Sequence, residues 1–377
     1  MKTRIFLGMG LLVSVIGFGQ TYNAGTGSGP GGGTDVHVGT SAGAVMPAGS
    51  ATTGFSTFIG YQAGMANTAG YNTMVGYKAG TGNVTGVDNC FFGAGAGVDA
   101  TGSRNIFIGR LSGQQSTGDK NVFVGQQSGI YAGTNNVGLG DHAGYTNASG
   151  SSNNENAYLG SSAGQSSIGS YNVMLGFQAG FGVSGDSNVF IGYNAGHNLG
   201  EVDDILFIEN STKDIPLIYG DFSLEELKFN AKKVGIGFEG TSGNEGFGDF
   251  PALTGLENAD KYRLFVRGGI LAEEVRIRLH EDWIWPDYVF AKDYNLLSLK
   301  DTEKYILENG HLPNMPSAEK VKAEGVELGN MVTLQQEKIE ELTLHLIEQE
   351  KQIEELKAQN ARLEELEAKV ELLLNKQ

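Results

Sequence analysis

The sequence contains very little cysteine and proline. Its 377 residues include one cysteine and seven prolines. A single cysteine, Cys90, excludes a framework of disulfides within the chain. Cys90 lies inside a repeated phrase, at a position where a small apolar residue is expected, so the sequence favours a packing role for it.

Positive charge is also scarce. Lys and Arg number 26 against 43 Asp and Glu, which gives a net charge of -17. Between Gln20 and Gly200 four residues are basic and seven are acidic, so most of the negative charge lies beyond Gly200. Affinity for nucleic acid depends mainly on Lys and Arg that displace counterions from phosphates. We therefore expect no nucleic-acid partner.

Long apolar runs are almost absent. The one clear run, from Ile5 to Phe18, follows Lys2 and Arg4 and precedes small residues, which predicts a secretory signal peptide over 1–20. It is short for a bilayer-spanning helix, and no later stretch is apolar enough to be one. No cysteine follows it where a lipid would be attached. We expect an exported chain, extracellular or at the cell surface, with the periplasm or the outer-membrane face as alternatives.

Glycine, in contrast, is abundant, with 58 residues. A glycine-rich leader is predicted over 21–33, and it lacks the Lys-Ser/Thr of a phosphate-binding loop. From 34 to 200 one phrase recurs about every sixteen residues, with a degenerate first copy at Gly39. Such a period predicts a repeat fold. The central glycines of the full copies are Gly60, Gly76, Gly93, Gly109, Gly125, Gly140, Gly160, Gly176 and Gly192.

Each copy has further fixed positions. A second glycine follows the central one by four residues, from Gly64 to Gly196, and Ala or Ser comes directly before that second glycine. An asparagine precedes the central glycine by four residues in most copies. These asparagines are Asn72, Asn89, Asn105, Asn121, Asn136, Asn156, Asn172 and Asn188.

Sixteen residues with one short apolar run are too few for a propeller blade but enough for one coil of a β-solenoid. Glycine and asparagine would form the corners. In a strand such as Val189–Ile191, Phe190 points to one face and its two neighbours to the other. Both faces are apolar, and a narrow coil covers only one of them by itself. The simplest cover for the second face is an identical chain, which predicts an obligate oligomer.

The asparagine column has two kinds of interpretation. Stacked about 4.8 Å apart on successive coils, the amides would hydrogen-bond along the stack, or each would cap its own turn. Alternatively, a repetitive polar face would bind a glycan, ice or a solid surface. The structural interpretations are favoured.

The repeated phrase, of which "NVFIGYNAG" (188–196) is one copy, resembles the head repeats of trimeric autotransporter adhesins of the YadA type. The resemblance covers 34–200 and implies a left-handed parallel β-roll in which three chains pack together. It departs from that family in the last residues, which have a helical pattern where the family carries a β-barrel anchor.

Three later segments resemble the shaft of secreted, phage tail-fibre-like proteins of Bacteroidetes. They are "LFIENSTKDIPLIYGDF" (206–222), "KVGIG" (233–237) and "YRLFVRGGILAEEVRIRL" (262–279). The stretch 285–321, followed by 338–357, is similar to the C-terminal module of the same group. We therefore divide the rest of the chain into a β-rich shaft or neck (201–280), an aromatic and short-helix connector (281–328) and a coiled coil (329–377).

Helix signals in the connector are specific. Ser298 and Ser317 are predicted N-caps, and Gly310 and Gly325 are predicted ends of the two helices. Before the first helix, Trp283, Trp285, Tyr288 and Phe290 form an aromatic cluster, predicted to be a small core, with a sugar-stacking platform as the alternative.

The last segment is predicted to be one long amphipathic helix from Val332 to Leu374. Its heptad core positions a and d are Ile339, Leu342, Leu346, Ile353, Leu356 and Asn360, and a shift of three residues precedes Leu363. Ile at a with Leu at d leans towards two strands, whereas the head resemblance implies three. We expect three, because the β-roll must close along its whole length.

The sequence matches two catalytic motifs, but in each case the matching residues have a structural role in the predicted fold. "GTSAG" (39–43) and "GSSAG" (160–164) match a nucleophile elbow, but their middle serines occupy an ordinary repeat position. "SAEK" (317–320) contains a predicted helix cap. Histidines and aspartates lack metal-ligand spacing. We expect no catalytic residue, cofactor or metal.

The sequence thus predicts a mainly β, fibrous homotrimer that serves as a secreted adhesin or structural fibre, with a surface glycan or a host or biofilm surface as the possible ligand. Two alternatives remain open. One is a structural component of a tail-fibre-like assembly, and the other is a trimeric fibre with glycan-degrading or autoproteolytic activity.

Overall fold

The computed structural model describes residues 22–24, 34–45, 54–147, 153–237, 261–278 and 284–375. The predicted signal peptide, the stretch 25–33 and Trp283 lie outside the described residues. The chain divides into two compact units, Met1–Lys232 and Lys233–Gln377, and each is described by itself.

The first unit is a parallel β-solenoid, which confirms the predicted fold class at that level. Strands β1 to β12 pair in chain order, each parallel to the next, and partners such as Val173 and Val189 are sixteen residues apart. The strands are β1 (Tyr22–Ala24), β2 (Val36–Val38), β3 (Thr57–Ile59), β4 (Thr73–Val75), β5 (Cys90–Phe92), β6 (Ile106–Ile108), β7 (Val122–Val124), β8 (Val137–Leu139), β9 (Ala157–Leu159), β10 (Val173–Leu175), β11 (Val189–Ile191) and β12 (Ile205–Ile208).

The core of the solenoid is a stack of middle residues. In β3 to β11 the second residue of each strand points inward and the first and third point outward, since only the second is fully buried. A second buried column consists of alanines and serines, such as Ala63 and Ser112. The inward residues are Phe58, Met74, Phe91, Phe107, Phe123, Gly138, Tyr158, Met174 and Phe190.

The two glycines of each repeat are required for different reasons. The central glycines have φ between +118° and +146°, and a Cβ on Gly109 would lie 2.3 Å from the carbonyl oxygen of Gly125 on the next coil. The second glycines, such as Gly113 with φ +65°, lie against an inward side chain, in most copies that of their own coil. A Cβ on Gly113 would approach Phe107 to 2.2 Å.

The solenoid sheet continues past the predicted boundary at residue 200. Strand β12 extends the parallel ladder, and β13 (Ile218–Asp221) and β14 (Glu226–Phe229) then add two antiparallel strands. Glu209 organises the first turn, because its carboxylate accepts from Ser211 and from the backbone N–H of Leu217. These hydrogen bonds hold the pKa of Glu209 below its ordinary value. The sheet of the solenoid therefore continues into residues that the sequence analysis placed in the shaft or neck.

The described residues of the second unit form a two-stranded parallel sheet, β15 (Val234–Ile236) and β16 (Leu264–Val266), and four helices. These are a 3-10 helix (Pro286–Phe290), α1 (Leu299–Asn309), α2 (Ala318–Glu324) and α3 (Leu328–Leu374). The predicted caps are confirmed: Ser298 and Ser317 cap α1 and α2 through their hydroxyls, and Gly310 ends α1 in the left-handed conformation. None of the described helices combines the length and apolar character needed to cross a membrane.

Candidate functional site: two uncovered apolar faces

An apolar strip runs along the outside of the solenoid. We call it the outer strip and define it as the first and third residues of β2 to β11, all of which are at least partly exposed. Apart from two threonines and Cys90 they are aliphatic or aromatic. They are Val36, Val38, Thr57, Ile59, Thr73, Val75, Cys90, Phe92, Ile106, Ile108, Val122, Val124, Val137, Leu139, Ala157, Leu159, Val173, Leu175, Val189 and Ile191.

The outer strip is long and unbroken. Ten strands at about 4.8 Å spacing make it roughly 45 Å long. Phe92 and Leu159 expose half or more of their surface. Soluble monomers seldom expose a continuous apolar surface of this kind, so the strip is the first candidate interaction face.

Stacked aromatic rings border the strip near its ends. Phe55 stacks on Tyr71 and Tyr61 on Tyr77 at the first coils, and Phe177 stacks on Tyr193 at the last. One residue separates each of these rings from the nearest strand in the chain. Because each ring lies against its neighbour, they extend the apolar surface more than they offer open ring faces to a sugar.

The asparagine column is buried and forms a ladder. The side-chain oxygen of Asn105 accepts from the backbone N–H of Asn121, 2.8 Å away, and Asn121 accepts in turn from Asn136 at 2.9 Å. The side-chain nitrogen of Asn121 donates to the carbonyl of Gly133. The same pattern connects Asn72, Asn89, Asn105, Asn121, Asn136, Asn156, Asn172 and Asn188. With both amide atoms bonded inside the protein, this column presents no polar face to a ligand.

Replacing Asn121 with alanine should destabilise the solenoid by about 3 kcal/mol, because it leaves the buried N–H of Asn136 and the partly buried carbonyl of Gly133 without their partners. Urea denaturation followed by circular dichroism measures the loss. Asn147→Ala, an exposed turn position, serves as the control and should change the free energy of unfolding by less than about 0.5 kcal/mol. Equal effects of the two changes would show that the ladder contributes little.

The second candidate face is the apolar stripe of α3. Its predicted core positions are about half exposed within the chain, at 56% for Leu342, 45% for Ile353 and 56% for Leu356. The opposite, polar face of α3 is covered instead. Glu337 and Glu340 are each only 5% exposed. Near the beginning of α3 the chain therefore packs against the charged side of the helix and leaves the apolar side open, whereas all described residues of α3 beyond His345 are exposed.

The connector makes this polar contact through tyrosines. Tyr288 donates to Glu337 at 2.6 Å, Tyr294 donates to Glu341, and Asn314 donates to Glu337. Burial opposes ionisation of Glu337, but the hydrogen bonds from Tyr288, Lys338 and Asn314 keep its pKa below the ordinary value. Sequence analysis missed this contact, because an i, i+4 pair of glutamates on a long helix usually indicates a solvated face.

The aromatic cluster differs from its prediction. Trp285 and Phe290 are 42% and 54% exposed, so the chain does not bury them in a small core of its own. The buried residues of this turn are Pro286 and Val289, and Tyr288 works as a hydrogen-bond donor.

Alkaline pH should release the connector from α3. The hydrogen bond to Glu337 and partial burial raise the pKa of Tyr288 to about 12. Because the folded form holds this proton more tightly, its contribution to stability is complete below the ordinary tyrosine pKa of about 10 and disappears as the pH rises to about 12. Burial and Glu341 also raise the pKa of Tyr294, and burial raises that of Tyr158, so tyrosinate absorbance should show several late-titrating groups, of which Tyr288→Phe removes one. Tyr305→Phe, a tyrosine outside this network, should leave that late step in place.

The catalytic patterns lie in turns of the solenoid. Ser41 and Ser162 both adopt left-handed backbone conformations, as Gln62 does at the same repeat position. Ser162 occupies the same repeat position as His142, one coil later. His142 contacts Asp141 at 3.1 Å, but no hydrogen bond within the described residues joins Ser162 to His142. Ser317 caps α2. The described residues contain no group of three or more metal-ligating side chains.

Comparison with protein-family models, with curated proteins and with solved structures gave no match.

Proposed function

We propose that the protein is a secreted, homotrimeric fibre that attaches to surfaces by multivalent contacts. The observation that carries the proposal is the pair of apolar faces, the outer strip and the stripe of α3, each of which the described residues of its own unit leave uncovered. Both run along the direction in which their elements repeat, as the contact faces of a fibre of parallel chains would.

The outer strip supports self-association more than capture of a different protein. Its residues repeat at the same two positions in ten successive strands, so an identical chain offers a surface with the same period. A parallel partner then meets like side chains at every coil. Cys90 belongs to this strip, which agrees with a packing role.

The stripe of α3 supports the same assembly. A helix of 47 residues is about 70 Å long, and its core positions recur with the period of a coiled coil. Three strands rather than two remain the proposal, on the resemblance of the repeats to trimeric adhesin heads. The left-handed roll and the coiled coil belong to this proposal as well.

Attachment would arise from repetition. The side chains that vary between coils, such as Arg104, Lys120 and Glu155, lie at exposed or partly exposed turns, and three chains would present each of them three times. Linked weak contacts raise avidity by about 10² to 10⁴ without a strong single site. An alternative is a building block of a tail-fibre-like assembly, which the same faces would serve.

Surface retention tests the proposal. The free mature protein is passed over immobilised biofilm polysaccharide and over cultured host cells, and Leu356→Asp, which is expected to be monomeric, is compared at equal concentration of chains. We expect retention to fall at least 100-fold in the variant and to be unchanged in Ala358→Asp, a substitution on the opposite face of α3. Equal retention of the monomer would contradict multivalency. Shortening of the polysaccharide would instead establish the glycan-degrading alternative.

A further inference from the structure

An open apolar groove lies between α3 and the connector. Its volume is about 470 Å³. Ile339 and Leu342 of α3 form one side, and Leu297, Leu299 and Leu312 of the connector form the other. The three connector leucines are 41–48% exposed, which is unusual for large apolar side chains placed together.

The groove is held in shape by the polar contacts between the connector and α3, and Tyr294, Asn314 and Glu341 of these contacts line it. The connector is tied to the helix by Tyr288 and Asn314 on Glu337 and by Tyr294 on Glu341. The walls of the groove therefore belong to one preformed unit and need no rearrangement before an occupant enters, which lowers the entropic cost of binding.

The position of the groove along the heptads indicates its occupant. Ile339 and Leu342 are core positions a and d, so the groove opens onto the face that a neighbouring helix of a coiled coil would cover. Lys338 and His345, which border it, are g positions. In parallel coiled coils the g side of one helix lies beside the e side of the next.

The e positions of α3 match this arrangement in charge. At the level of the groove they are Gln336 and Thr343, which are uncharged, whereas the next two, beyond the connector, are Glu350 and Lys357. An uncharged e side can enter an apolar groove without burying a charge, which would be costly. Past the connector the e side would face water, and charge is present there.

We propose that the groove receives α3 of a second copy of the chain. Each connector then contacts its own α3 on the polar face and the neighbouring α3 on the e face, and we call this double contact the clasp. This inference rests on the proposed parallel assembly and assigns a role to Leu297, Leu299 and Leu312. Three such clasps close a ring around the coiled coil.

Cross-linking between chains tests the clasp. In a Cys90→Ala background of the full mature chain, Leu299→Cys and Thr343→Cys are combined and treated with a short bismaleimide. Leu299 is the first residue of α1 and Thr343 is exposed, so both cysteines are tolerated locally. We expect covalent dimers and trimers on a denaturing gel. Leu307→Cys with Thr343→Cys is the matched control, because Leu307 is on the same helix, 81% exposed and outside the groove.

The native mass of the same samples separates the two proposals. Trimers that yield only monomer bands would overturn the clasp and leave the assembly intact. Monomers under native conditions would overturn the assembly and the clasp with it. Equal cross-linking of the Leu307 control, or a groove that takes up an apolar dye in the trimer as readily as in Leu356→Asp, would show that the neighbouring helix does not occupy it.

Discussion

Gly109→Ala is expected to prevent the solenoid from folding around its middle coils, at a cost above about 4 kcal/mol. The backbone of Gly109 has φ +132°, outside the range that L-residues adopt without strain. Its Cβ would also lie 2.3 Å from the carbonyl oxygen of Gly125. The two glycines cannot easily move apart, because the N–H of Gly109 donates to the carbonyl of Phe92 and that of Gly125 to the carbonyl of Ile108. Yield of soluble protein and urea denaturation followed by circular dichroism measure the effect.

The control for this prediction is Gly200→Ala. Gly200 also has a positive φ, +82°, but a Cβ there would meet no atom within 4 Å. Its substitution should cost only about 1–2 kcal/mol, the strain of the left-handed region. Similar losses in the two variants would mean that backbone strain, and not the close approach of coils, makes the central glycines necessary.

Leu356→Asp is expected to abolish assembly while leaving each chain folded. Leu356 is already 56% exposed in the single chain, so the change costs little there. In a three-helix core it would bury one unpaired carboxylate per chain at about 3 kcal/mol each. The sum of about 9 kcal/mol corresponds to roughly a 10⁶-fold weaker association. Sedimentation at micromolar concentration measures the change.

Ala358→Asp is the matched control for assembly. It adds the same charge two residues away, at heptad position f, where a neighbouring helix makes no contact. The variant should sediment with the parent protein. Dissociation of both variants would indicate that added negative charge, and not the apolar stripe, governs association in this acidic chain.

Much of the solenoid could be predicted from the sequence because its constraints repeat. The sixteen-residue spacing of glycine and asparagine gave the coil length and the parallel order of the strands. The caps at Ser298 and Gly310 were equally direct, since each depends on one local side chain or one left-handed residue. Local and periodic signals of this kind need no knowledge of distant contacts.

Other features depended on contacts that are not local in sequence. Both faces of Val189–Ile191 are apolar, so alternation alone did not decide which face is inside. The second glycine of the repeat distinguishes the two faces, because Gly196 lies against the ring of Phe190. A large residue six positions before such a glycine would therefore have identified the inner face. Gly138 is an inward residue without a side chain. It still fits this rule, because the ring of Phe123 from the preceding coil occupies the space beside it.

The sequence contains little indication that the connector covers glutamates of α3. Glu337 and Glu341 look like solvated helix residues, and their partners Tyr288 and Tyr294 lie more than forty residues earlier. Nothing in the heptad pattern links the two segments. The continuation of the sheet to β14 was missed for a related reason, since the repeat phrase ends near Gly200 while the sheet continues in the same strand order with antiparallel strands.

The central claim is that one chain leaves two apolar faces for identical chains to cover. Native mass spectrometry of the mature protein tests it most directly. The account predicts a single species at three times the chain mass, stable on dilution to nanomolar concentration. A monomer with the same helix and strand content would contradict it, because both faces would then be exposed to water in the working form of the protein.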